Sequence, residues 1–93
     1  MSREIKRTSQ FKKDVKLMLR QGRQLKPLLD VVEMLQNDIP LPPELKDHPL
    51  VGNWIGKREC HIEPDWLLIY EQTDSVLLLT LIRTGTHSGR LGL

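Results

Sequence analysis

The stretch "CHIEPDWLLIYEQTDSVLLLTLIR", residues 60–83, decides the fold. Its apolar runs are of strand length, rich in β-formers, and separated by turn residues. With the residues before them, "NWIGKRECHI", "DWLLIYEQ" and "SVLLLTLIR" read as three strands, reversed at Glu63-Pro64-Asp65 and Gln72-Thr73-Asp74-Ser75 into an antiparallel meander. The last two are almost wholly apolar, which predicts burial on both faces. A first reversal centred near Pro64 puts His61 opposite Leu67. A second centred between Thr73 and Asp74 puts Arg83 opposite Pro64. His61, Asp65, Trp66 and Arg83 are therefore expected at one end of the sheet. His87 follows in "TGTHSG", whose glycines permit a fold-back over that end.

Upstream, residues 3–7 suggest a short strand. Ser9 can cap a helix reaching about Arg20, with Phe11, Val15, Met18 and Leu19 at helical spacing, and Gly22 stops it. A second helix is predicted from Leu25 to Gln36, with Leu25, Leu28, Leu29, Val32 and Leu35 on one face and Pro27 tolerated in the first turn. The segment "DIPLPPELKDHPL", with four prolines, can only connect helices to sheet, and it brings His48 toward the first meander strand. The expected architecture is α+β, an N-terminal helical hairpin packed on a twisted antiparallel sheet, in a single domain covering residues 1–93.

Ninety-three residues with 39% hydrophobic content suit one small core, and no apolar stretch is long enough to span a bilayer. The N-terminus has no signal-peptide pattern and the single cysteine cannot form an internal disulfide, so a cytoplasmic, reducing location is expected with no membrane partner. Net charge is only +2, yet residues 1–30 hold nine Lys and Arg against three Asp and Glu, while residues 31–75 hold three against nine. The first helix presents Lys12, Lys13, Lys16 and Arg20, followed by Arg23, a pattern that fits either a solvated face or a polyanion-binding one.

Imidazoles titrate near neutral pH and serve as acid or base, and a nearby carboxylate can orient them. No close His-His spacing supports a metal site, so no metal or cofactor is expected. Cys60 and His61 are adjacent in a strand and point to opposite faces, which removes a Cys-His nucleophile. RNA cleavage without metal fits better. A base takes the ribose 2′-OH proton, the oxygen attacks the adjacent phosphorus, a cation stabilises the phosphorane, and an acid protonates the departing 5′ oxygen. Trp66 could supply a stacking face for a base.

The blocks "KDHPL" at 46–50, "GNW", "HIEPDWLLIY" and "RTGTH" at 83–87 resemble the YafQ type of bacterial toxin, in the RelE/ParE superfamily, and the likeness covers nearly the whole chain. The resemblance implies a ribosome-dependent endoribonuclease that cuts messenger RNA in the ribosomal A site and is held inactive by a cognate antitoxin. It implies an active site of His48, His61, Asp65, Trp66, Arg83 and His87. On this reading Asp65 with His61 or His48 serves the base side, His87 is the acid, Arg83 stabilises the phosphorane and Trp66 positions the nucleotide. Leu91 stands where related toxins have phenylalanine, and a leucine packs against a base without stacking on it.

The same resemblance assigns Lys12, Lys13, Lys16, Arg20 and Arg23 to ribosomal RNA phosphates, contacted without reading sequence. It implies a DinJ-like antitoxin of ribbon-helix-helix type, with operator DNA reached only through that antitoxin. Two rival readings are a non-enzymatic gyrase inhibitor on the same fold and an inactive toxin-like binding partner. The three histidines at matched places argue against the gyrase inhibitor.

Overall fold

The computed structural model describes residues 2–86. Strand β1 (Glu4–Arg7) leads into helices α1 (Ser9–Arg20) and α2 (Lys26–Gln36). After the proline-rich segment come a two-residue strand β2 (His48–Pro49), then β3 (Arg58–Glu63), β4 (Trp66–Thr73) and β5 (Leu78–Thr86). The five strands form one sheet in the order β1-β5-β4-β3-β2. Short 3-10 turns lie at Pro43–Leu45 and Gly52–Trp54. Among the described residues no helix is long and apolar enough to cross a membrane.

Alternation along the strands sorts their side chains. Cys60 and Ile62 of β3, Trp66, Leu68 and Tyr70 of β4, and Leu79 and Leu81 of β5 meet Phe11 and Met18 of α1 and Leu28, Val31, Val32 and Leu35 of α2 in one core. Glu59 and His61 belong to the opposite sheet face. There Leu67 and Ile69 are buried as well, as the apolar β4 run predicts.

The helical hairpin and the meander are as expected, with β3 and β4 in the predicted register, His61 opposite Leu67. The sheet as a whole is mixed, because β1 lies parallel to β5 along the edge (Ile5 opposite Leu79). Parallel pairing needs a long crossover, and the helices together with the meander provide it. The α1 cap is Thr8 instead of Ser9: its Oγ1 accepts from the Phe11 amide at 3.0 Å and donates to the Ile82 carbonyl at 2.7 Å. Leu19 and Leu29, predicted in the apolar stripes, are exposed. The first meander strand starts only at Arg58, because Gly52 and Gly56 take φ values of +65° and +88° that strand geometry excludes.

The second reversal is where the sequence expectation fails. It runs through Asp74 to Leu77, so β5 begins at Leu78, and Arg83 lies opposite Ile69 while Thr86 lies opposite Trp66. The cause is remote in sequence. Arg3, buried, donates to the Thr73 carbonyl at 2.9 Å and to the Asp74 carboxylate, while its Nε holds Asp38 at 2.8 Å. That side chain fixes the turn at Asp74, while Leu77, at a left-handed φ of 46°, gives its carbonyl to the Glu4 amide at 2.9 Å. Ile82 is skipped by the pairing, since Tyr70 faces Leu81 and Ile69 faces Arg83, which makes a bulge.

Beside this bulge the buried Asp14 of α1 accepts from Arg83 Nε at 2.9 Å, Arg83 Nη2 at 3.2 Å, the Thr84 amide at 3.1 Å and Gln10 Nε2 at 3.2 Å. Asp14→Ala deletes the acceptor shared by a guanidinium and a buried amide, so urea unfolding should show a loss of roughly 3 kcal/mol. Cys60 is fully buried, and desolvation first, with the charges of Asp47 and Glu59, pushes its thiol up to about 12. The native protein should therefore resist iodoacetamide at pH 8 and become labelled only in denaturant, as read by mass spectrometry.

Candidate active site

The site is built on the sheet face that the helices leave uncovered. Glu59 and His61 stand two residues apart on β3 and so share that face. His48 arrives from β2, whose register sets it opposite Glu59. The three side chains meet: His48 Nε2 lies 3.1 Å and His61 Nε2 3.7 Å from the same oxygen, Glu59 Oε1. Glu59 is 7% exposed. A carboxylate that deep requires polar partners, and the imidazoles provide them.

The other nitrogen of His48, Nδ1, lies 3.1 Å from the Pro49 carbonyl. A carbonyl only accepts, so Nδ1 carries a proton. His48 Nε2 and Glu59 Oε1 lie at hydrogen-bonding distance, 3.1 Å, so a proton can pass between them. A pair arranged in this way passes a proton without moving any backbone atom. His61 is 22% exposed at its side chain and lines an open hollow of about 310 Å³, with Glu44, Leu45, Lys46, Ile62, Glu63 and Pro64.

His48 is held in place by the residue before it. Asp47 accepts from Arg58 Nε at 3.3 Å and Nη2 at 3.1 Å, and from the Tyr70 hydroxyl. Arg58 and Tyr70 face one another across β3 and β4. Burial first, then the bond to Asp47, raises the Tyr70 phenol well above its ordinary value, so it remains a donor throughout the neutral range. Lys46, at φ 49°, reverses the chain from the 3-10 turn into this grip.

The remaining predicted residues are distributed differently from the sequence expectation. Asp65, exposed on the β3–β4 turn, pairs with Arg23 Nη2 at 3.2 Å, and Arg23 also reaches Glu63 at 3.3 Å. The carboxylate in contact with both imidazoles is Glu59, because strand alternation carries it onto the face of His61 while the turn carries Asp65 to Arg23. Trp66 is 1% exposed in the core, its Nε1 donating to Thr84 Oγ1 at 2.8 Å and the Arg23 guanidinium 5.5 Å from its ring centre. It thus offers no open face to a base and belongs to the core on the helix side of the sheet. Arg83, expected at the sheet tip, sits three residues inside it and is engaged by Asp14. Lys12, Lys13, Lys16 and Arg20 are exposed on α1, whereas Arg23 is half-buried and committed to the turn. His87 and Leu91 lie outside the described residues.

Glu59 was missed although the signal was present. An acidic residue two positions before a histidine in a strand shares its face, and a charge within a buried strand requires a partner. Asp47, Arg58 and Tyr70 carried no such mark, since their meeting depends on the path of the proline-rich segment.

A helical hairpin covering one face of a mixed five-stranded sheet, with two imidazoles and a carboxylate gathered on the other, defines a small α+β domain. Residues 3–91 match the family described as bacterial toxin of type II toxin-antitoxin system, YafQ, and the chain belongs to that family. The mRNA interferase toxin YafQ of Escherichia coli K12 is 44% identical over 93 residues, 99% of each chain. The crystal structure of the E. coli DinJ-YafQ toxin-antitoxin complex contains a chain that matches with a TM-score of 0.87 at 44% identity, covering 99% of this chain and 100% of that one. A metal-bound toxin from Helicobacter pylori matches at 42% identity and a TM-score of 0.86, covering 95% of this chain and 97% of that one.

Tyr70→Phe removes one of the two donors that hold Asp47 while keeping the core filled. The expected result is a stability loss of about 1 kcal/mol in urea unfolding, with a larger loss of turnover, about tenfold or more, as His48 drifts from Glu59.

Proposed function

We propose that the chain is an endoribonuclease toxin that cuts messenger RNA in the ribosomal A site and so stops translation. The observation that carries this reading is the joint placement of His48, Glu59 and His61 on an open sheet face, with two imidazoles and a carboxylate in mutual reach and His61 lining a hollow of about 310 Å³. Family membership and the mRNA interferase activity named for the E. coli relative support it.

His61 or His48, relayed by Glu59, takes the proton of the ribose 2′-OH. The freed oxygen bonds to the adjacent phosphorus, the bond from phosphorus to the 5′ oxygen breaks, and the acid protonates that oxygen. His87 is the acid in this proposal. Arg83, oriented by Asp14, is the cation for the phosphorane. Asp65 acts at one remove, holding Arg23 over Trp66. Trp66 shapes the floor of the site, and the nucleotide is positioned by the hollow and by Leu91.

Lys12, Lys13, Lys16 and Arg20, exposed along α1, fit the phosphates of ribosomal RNA. A DinJ-like antitoxin fits the space between the helices. There a hollow of about 360 Å³ has Phe11, Val15, Leu25, Leu28, Leu29 and Val32 as its apolar lining and Arg7, Lys12 and Lys16 at its rim. An amphipathic segment with acidic flanks matches that lining and rim. Operator DNA is then reached only through the antitoxin, and the toxin acts in the cytoplasm.

His61→Ala is expected to reduce cleavage by about 10²-fold or more, as is His87→Ala, with antitoxin binding unchanged. The readout is primer extension on a defined message with and without 70S ribosomes, alongside growth after induction. Cut sites that persist at full strength in both variants would overturn the assignment.

A further inference from the structure

We infer that Arg23 is a positioning residue for the cutting step: it clamps the β3–β4 turn and so fixes the aim of His61, instead of meeting ribosomal RNA. The inference rests on the nuclease reading above. Arg23 follows Gly22, whose φ of +83° bends the chain out of α1, and its amide donates to the Met18 carbonyl at 3.1 Å. From there the guanidinium forks. Nη1 donates to Glu63 at 3.3 Å and Nη2 to Asp65 at 3.2 Å, so one cation bridges the residues on either side of Pro64. The same group lies 5.5 Å from the ring centre of Trp66, a ring that Thr84 holds through Nε1.

The turn it holds is the one on which the site depends. Ile62 is skipped by the pairing, since His61 faces Leu67 and Glu63 faces Trp66, and a bulge of this kind sets the direction of the side chains beside it. Glu63 and Asp65 carry like charges two residues apart, which the cation between them offsets. His61, Glu63 and Pro64 line the same open hollow. A shift of the turn therefore moves both the imidazole and the wall next to it.

Magnitudes separate this role from a merely structural one. Side-chain exposures of 26% at Arg23, 47% at Glu63 and 62% at Asp65 leave the pairs screened by water, so they add little to global stability. Catalysis is more exacting, since a misplacement of about 1 Å costs about 10²-fold in rate. The family likeness places Arg23 among the cations for ribosomal phosphates, but it is half-buried with both terminal nitrogens engaged, unlike the exposed Lys12, Lys13, Lys16 and Arg20.

The test uses the full-length protein and 70S ribosomes programmed with one defined message, with single-turnover cleavage followed as the protein is titrated. Arg23→Ala is expected to lower the saturating rate about tenfold or more while the half-saturating concentration stays unchanged. A raised half-saturating concentration at an unchanged rate is the mark of a phosphate contact and overturns the inference. In a chain carrying Glu63→Gln and Asp65→Asn the acceptors are already gone, so adding Arg23→Ala should cost no more than about twofold; a full second loss overturns the clamp. Backbone amide exchange, read by NMR, is independent of cutting. The amides between His61 and Trp66 should exchange about tenfold faster in Arg23→Ala, with those of Leu79 and Leu81 unchanged, and unaltered exchange in the turn overturns the inference. If Leu79 and Leu81 also quicken, Arg23→Met, which keeps an apolar stem over Trp66, takes the place of the alanine variant in every arm. Wild-type protein that cuts no message overturns the nuclease reading, and amide exchange then decides the clamp.

Discussion

The structure depends most on one buried carboxylate, Asp14. A charge taken out of water is tolerated only when its lone pairs are filled, and here the donors come from Arg83, from the Thr84 amide and from Gln10 in the turn before it. Arg83 and Thr84 can address the same carboxylate because the bulge at Ile82 alters the direction of β5 just before them. Thr84 passes the constraint on: its hydroxyl donates to the Leu67 carbonyl at 2.8 Å and accepts from Trp66. One side chain on α1 thereby determines where the ends of β4 and β5 lie, and with them the framework on which the imidazoles stand.

The opposite side of the sheet follows a second rule of the same kind. Glu59 is as deeply placed as Asp14, but its partners are imidazoles, which change protonation where guanidinium does not. The two carboxylates therefore have different consequences. Asp14 locks a geometry, and Glu59 bridges two side chains of a type able to take up and release protons. The grip of Arg58 and Tyr70 on Asp47 connects the two sides, since Tyr70 belongs to the core below while Asp47 lies next to His48 above.

Sequence reading recovered what is local. The helices end where Gly22, Asn37 and Pro40 stop them, and the β3–β4 register follows from a tight turn at Glu63-Pro64-Asp65 flanked by residues that alternate in polarity. The β4–β5 register was not recoverable in that way. An unbroken apolar run from Val76 to Leu79 looks the same after a slip of a few residues, and the choice is made by Arg3, more than seventy positions away in the chain. Aromatic character alone misplaced Trp66, whose ring is needed in a core that has few large side chains to fill it. Proximity in sequence favoured Asp65 over Glu59 as the partner of the histidines, whereas strand alternation favours Glu59. His48 and His61 do meet, and the carboxylate that touches both is Glu59, which only the pairing of β2 with β3 brings between them.

The two outermost strands are the shortest among the described residues, four residues in β1 and two in β2. A row of free amides and carbonyls invites a stranger's backbone, and these borders are too brief to hold one in register. Crowded copies of the protein therefore have little to zip together along the sheet.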